Sequence, residues 1–148
     1  MLYSIRREDI YEVMNVQANI TSLAEIFSTK PDDKATPDGS YIFISISSDV
    51  TRMNSNKWNL MKTARVSFTV VSKKTLWATE TEERIIYNII DAITNTIVSE
   101  WCSKISNWND IIVTSISEDT ISPIFTDNEN RAFIVKDYLF NYLSKSDD

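Results

Sequence analysis

Arg131-Ala132-Phe133-Ile134-Val135-Lys136-Asp137-Tyr138-Leu139-Phe140-Asn141-Tyr142-Leu143 reads as one long β-strand. Strand side chains alternate between two faces. Phe133, Val135, Leu139 and Leu143 fall on one side, and Ile134, Tyr138, Phe140 and Tyr142 on the other. A strand that is apolar on both faces is either sandwiched within its own domain or partly covered by a neighbouring chain. The rest of the chain has to supply that cover.

Immediately upstream, Glu118 to Asn130 reads as a polar loop and Asp110 to Ser117 as a strand, with Ile111 and Val113 on one face and Ile112 and Ile116 on the other. Before it stands the clearest helix signal. In Thr79-Glu80-Thr81-Glu82 the Thr79 hydroxyl can accept the Glu82 backbone N–H while Glu82 reaches back, a capping box. Glu80, Glu82 and Glu83 also complement the positive end of the helix dipole. Ile86, Ile89, Ile90, Ile93, Ile97 and Trp101 follow at steps of three and four. The pattern predicts a helix to about Trp101 or Lys104, lying across the sheet.

Two further strands precede that helix. Lys62 to Ser72 places Ala64, Val66, Phe68 and Val70 inward and Arg65, Ser67 and Thr69 outward. Tyr41 to Ser47 sets Ile42, Ile44 and Ile46 on one face. The polar Ser48 to Asn59, with Asn54-Ser55-Asn56 at its centre and Trp58 near its end, is expected to be a long exposed connection. Ser28 to Ser40 is a loop holding Pro31, Asp32, Asp33, Pro37, Asp38 and Gly39. At the start, Ile10, Val13 and Met14, then Ile20, Leu23, Ile26 and Phe27, recur at helical intervals interrupted by Asn15 to Asn19. That predicts one helix, then a second short helix or an extended piece. The order helix, strand, strand, helix, strand, strand implies a single α+β domain over 1–148. Its antiparallel sheet of four strands or slightly more is packed on one face by the long central helix and the N-terminal helix.

Composition narrows the function. The 148 residues carry 43% hydrophobic and 24% charged side chains, ordinary for a globular chain able to fold without disulfides or metal. The formal net charge of -6 argues against general nucleic-acid binding. Cys102 is the only cysteine, which excludes an intrachain disulfide and fits a reducing compartment. The polar Met1 to Asp9 predicts no signal peptide. The longest apolar stretch, Ile85 to Val98, is broken by Asn88, Asp91, Thr94, Asn95 and Thr96, so no membrane helix is expected.

The chain contains no histidine, which removes Ser–His, Cys–His and His-ligand chemistry. One glycine, Gly39, rules out glycine-rich phosphate loops. Cys102, beside Trp101, reads as a small buried side chain rather than a nucleophile. The acid pairs Asp32-Asp33, Glu82-Glu83, Glu118-Asp119 and Asp127 with Glu129 sit where acids are ordinary, in loops or a first helical turn. Tyr138, Phe140 and Tyr142 could stack bases, but Lys136 is the only basic residue on that strand face. No catalytic residue, metal ligand or cofactor is therefore expected.

Pro37-Asp38-Gly39-Ser40-Tyr41-Ile42-Phe43-Ile44, the strand Ala64 to Val70, the helix opened by Thr79 to Glu82, and the closing Asp127-Asn128-Glu129-Asn130-Arg131 to Tyr138 together set a plan. In element order and size this plan resembles the tail terminator, or tail completion, proteins of tailed bacteriophages. The resemblance implies a homo-oligomeric ring, a hexamer, that caps the head-proximal end of the tail tube in the virion. It implies a tail-tube protein on one side and a head-completion or neck protein on the other. Other phage neck and minor tail proteins share the plan. A small acidic host-directed binding module and an enzyme using carboxylates alone are the competing readings. Candidate contact residues are Asn56 and Trp58, Asp127, Glu129 and Arg131, and Tyr138, Phe140 and Tyr142.

Overall fold

The computed structural model describes residues 5–32, 34–53, 59–73, 80–105, 111–127 and 131–145. They form α1 (Arg7–Met14), α2 (Ala18–Thr21), β1 (Glu25–Phe27), β2 (Tyr41–Met53), β3 (Asn59–Val71), α3 (Glu80–Ile105), β4 (Ile111–Ile121), β5 (Phe125–Thr126) and β6 (Ala132–Lys145). The architecture is α+β, with one six-stranded sheet in the order β1-β2-β3-β6-β4 and β5 also paired to β6.

Two pairings carry most of the sheet. β2 and β3 run antiparallel from Tyr41↔Val71 to Met53↔Leu60. β3 and β6 run antiparallel without a register shift from Asn59↔Lys145 to Val71↔Phe133. In the segment expected as a connection, Ser48 to Asn59, residues 48–53 and 59 are thus strand, and 54–58 lie outside the described residues. Periodicity fails there because the register shifts between Ile46 and Ser48, and a bulge reverses which alternate residue points to which side.

The sheet is mixed rather than wholly antiparallel. β1 lies parallel to β2, pairing Glu25 with Tyr41 and Phe27 with Phe43. Parallel neighbours need a crossover of a dozen or so residues, and the turn-rich segment 28–40 supplies it. The stretch read as a second short helix or an extended piece holds both, α2 and then β1; three residues are too few to show which strand β1 would pair with.

β4 also departs from expectation. It continues to Ile121, through part of the segment read as a loop. Its register shifts between Val113 and Ser115, so Ile116 returns to the side of Ile111 and Val113 and packs against the core. Pro123 cannot donate to a ladder. Ser122 maintains the join: its N–H donates to Val135 O at 2.9 Å and its Oγ accepts the Val135 N–H at 2.9 Å. β5 then resumes pairing at Phe125↔Phe133.

The core lies on one face of the sheet. Ile10 and Met14 from α1, Ile20 from α2, and Ile86, Ile89, Ile90, Ile93 and Ile97 from α3 pack on Ile42, Ile44, Val66, Phe68 and Val70. The spacing of the α3 stripe gives that helix its buried side, as read from the sequence. The helix continues to Ile105. The Thr79 cap and the Trp101 and Cys102 side chains lie outside the described residues.

Candidate functional site: an uncovered sheet face

The two sides of the sheet are built differently. On the helix side of β6, Ala132, Ile134, Tyr138, Phe140 and Tyr142 are each at most 1% exposed. Polar anchors fix the large rings. The Tyr138 hydroxyl shares a hydrogen bond with Thr94 Oγ1 of α3 at 2.6 Å, and Phe68 meets the Tyr138 ring edge-on at 5.5 Å. The Ile5 N–H donates to the Tyr142 hydroxyl at 3.3 Å. Burial pushes the Tyr138 hydroxyl up to about 12, against the lowering effect of Thr94. Asn19 Nδ2 donates to Thr96 Oγ1 at 2.8 Å and so ties α2 to α3.

No described helix covers the other side. Its centre is a set of side-chain bridges across β6. Ser67 on β3 and Thr120 on β4 donate to the two Asp137 carboxylate oxygens at 2.6 and 2.7 Å. Thr63 donates to Asn141 Oδ1 at 2.7 Å, and Asn141 Nδ2 donates to Ser115 Oγ at 2.9 Å. Between these rungs, Arg65 Nε stands 3.0 Å from Asp119 Oδ2. That contact is charge attraction without hydrogen-bond alignment, since buried Asp119 Oδ2 has no hydrogen-bond partner among the described residues. The pair spans Leu139, the residue opposite both Arg65 and Ser117.

Apolar residues flank the polar centre along the strands. At one end Phe125 and Phe133 lie 5.4 Å apart; beside them Tyr41 and Val71 are buried, with the Arg131 guanidinium over the Tyr41 ring, so this corner of the face is covered by the chain itself. At the other end Met61 and Ile112 are 46% and 52% exposed, next to Leu143, which pairs with both. Isolated exposed apolar side chains are normal; Met61 and Ile112, grouped beside Leu143, make a small apolar patch of the kind that marks a contact surface.

The predicted contact residues separate on this structure. Tyr138, Phe140 and Tyr142 fill the chain's own core, a correction to their reading as neighbour contacts. The parity of β6 turns them toward α3, where their ring area is buried. Arg131 is also internal, 2% exposed. Its guanidinium donates to the carbonyls of Pro37, Gly39 and Ser72 and lies over the Tyr41 ring at 5.3 Å. Asp127 closes the turn before β6: its Oδ1 accepts the Arg131 N–H at 3.0 Å. Asn56, Trp58 and Glu129 lie outside the described residues. The outward face of β6 was already apparent from its alternation, whereas the rungs were not, because strand register decides which polar residues meet.

The sheet edges are less inviting than the face. β4 carries two register irregularities and leads into Pro123, features that discourage strand addition. A shallow cleft between the start of α1 and β2 is lined by Arg6, Arg7, Glu8 and Ser45 among others, and Arg6 is already engaged by Asp9 at 3.1 Å. Among the described residues no three Cys, Asp or Glu side chains gather as a metal site, and no helix is long and apolar enough to cross a membrane. The chain matches no protein-family model, and a search of curated proteins finds no match to it.

Proposed function

We propose that this chain is a structural subunit of a tailed-phage virion. Like a tail terminator, it would form a ring, a hexamer, at the head-proximal end of the tail tube, stop tube growth and join the tail to the neck. The element order that carries the resemblance supports this reading. The uncovered face is the observation that carries it furthest: one side of the sheet is sealed by helices, and on the other the described residues leave a partly apolar surface open. Such a surface suits a partner of extended shape better than a small substrate, which takes a concave pocket.

The test is native mass together with tube assembly. Purified chain added to polymerising tail-tube protein should shorten the tubes and appear at one end of each, with a ring mass in solution. A stable monomer that leaves tube length unchanged refutes the proposal and favours the acidic binding-module reading.

A further inference from the structure

We infer that the uncovered face pairs with the same face of a second copy, about a two-fold axis parallel to β6. This goes beyond the ring proposal, since such a pair leaves the sheet edges free and can form whether or not a ring closes. Three observations carry it.

The first is that the face is prepared for burial. Covering polar groups is costly when they lose water without gaining partners. Here the Asp137 and Asn141 side chains are already bonded to Ser67, Thr120, Thr63 and Ser115 within the chain. A second sheet can cover these rungs without orphaning them.

The second is size. With the axis along β6, the strands that overlap are β3, β6 and β4; at about 13 residues of about 3.3 Å and a strand spacing of about 4.8 Å they make a face of roughly 600 Å². That is about the smallest area each partner contributes to a specific interface.

The third is charge. Arg65 is on β3 and Asp119 on β4, on opposite sides of Leu139. A two-fold parallel to β6 lays β3 of one copy over β4 of the other. Each Arg65, 45% exposed, then faces the other copy's Asp119, 21% exposed, so each copy's cation meets the other's anion as well as its own. Leu139 of each copy lies at the axis beneath its own Arg65–Asp119 pair, and the Met61, Ile112 and Leu143 end of one copy meets the same end of the other. Asp137 opposes the pair, because the two copies of this carboxylate approach each other near the axis.

Sedimentation equilibrium on Arg65→Glu and Asp119→Lys, each alone and mixed in equal amounts, tests the pairing. Wild-type chain should self-associate. Each variant alone places like charges opposite each other and should associate on the order of tenfold more weakly. In the mixture, the acid introduced at position 65 of one chain faces the base introduced at position 119 of the other. The unaltered Arg65 and Asp119 of the two chains face each other as well, so association should return. The ion pair within each chain stays broken, which separates an interchain contact from an intrachain one. Asp137→Asn removes the like charge and should tighten association without unfolding the chain. A wild-type chain that stays monomeric, single variants that associate like wild type, or a mixture no better than its components would each overturn the inference. If Asp137→Asn binds no tighter, the axis is not parallel to β6 and the inference also fails. A ring mass that persists through all of these leaves the tail-terminator proposal standing and removes only the face pairing.

Discussion

The helix-side and open faces of the sheet share the same strands but solve opposite problems. The side under α3 is sealed by apolar volume, with polar atoms used sparingly as anchors, as in Tyr138 to Thr94. The open side has apolar ends and a polar middle whose groups are bonded to each other rather than to a covering layer. Stability therefore resides mainly on the first side, and contact with partners on the second. Substitutions should separate these two roles.

The largest effect is expected on the sealed side. Phe68 is fully buried and packs edge-on against Tyr138. Phe68→Ala should lower unfolding free energy by about 3–5 kcal/mol in urea denaturation. A loss under about 1 kcal/mol would mean that this side is not the core.

Arg131 comes next. Replacing it with Met keeps the stem but leaves the carbonyls of Pro37, Gly39 and Ser72 without their donor. That should cost about 2–3 kcal/mol and speed protease cleavage within 28–40. Unchanged cleavage would show that the arginine does not hold that crossover.

Tyr138 links the comparison to pH. Its folded-state value is pushed above the usual 10 to about 12, so the folded chain holds this proton after the unfolded chain has released it. Its contribution is complete below pH 10 and is lost as pH rises from about 10 to about 12, roughly 2–3 kcal/mol in all. Tyr138→Phe should flatten the fall in stability across that window. An equally steep fall in the variant would assign the pH dependence to other groups.

How much could be read in advance differs between the faces for a physical reason. The helix face was readable because burial imposes a period: Ile86 to Ile97 on α3 and Ala64 to Val70 on β3 show it directly. β1 was open as an extended piece, but its parallel pairing with β2 escaped because three residues carry no period. The β2 extension and the placement of Ile116 escaped because bulges break the alternation on which strand reading depends. The aromatic residues of β6 were correctly split between two faces. Which face had cover was not readable, since that depends on where α3 lies in space. The rungs through Asp137 and Asn141, and the Arg65 to Asp119 pair, join residues far apart in sequence and exist only in the register of β3, β6 and β4.

The smallest expected change in stability accompanies the most informative change in assembly. Leu139 sits at the centre of the open face, and Leu139→Lys should alter unfolding free energy by no more than about 1 kcal/mol, as partly exposed positions usually do. The decisive measurement is the solution mass of Leu139→Lys beside wild type across a concentration series, with urea midpoints taken on the same samples. The account predicts a wild-type mass above the monomer that falls in the variant while the midpoint holds. Equal masses for the two proteins, or a wild-type chain that is monomeric throughout, would contradict it.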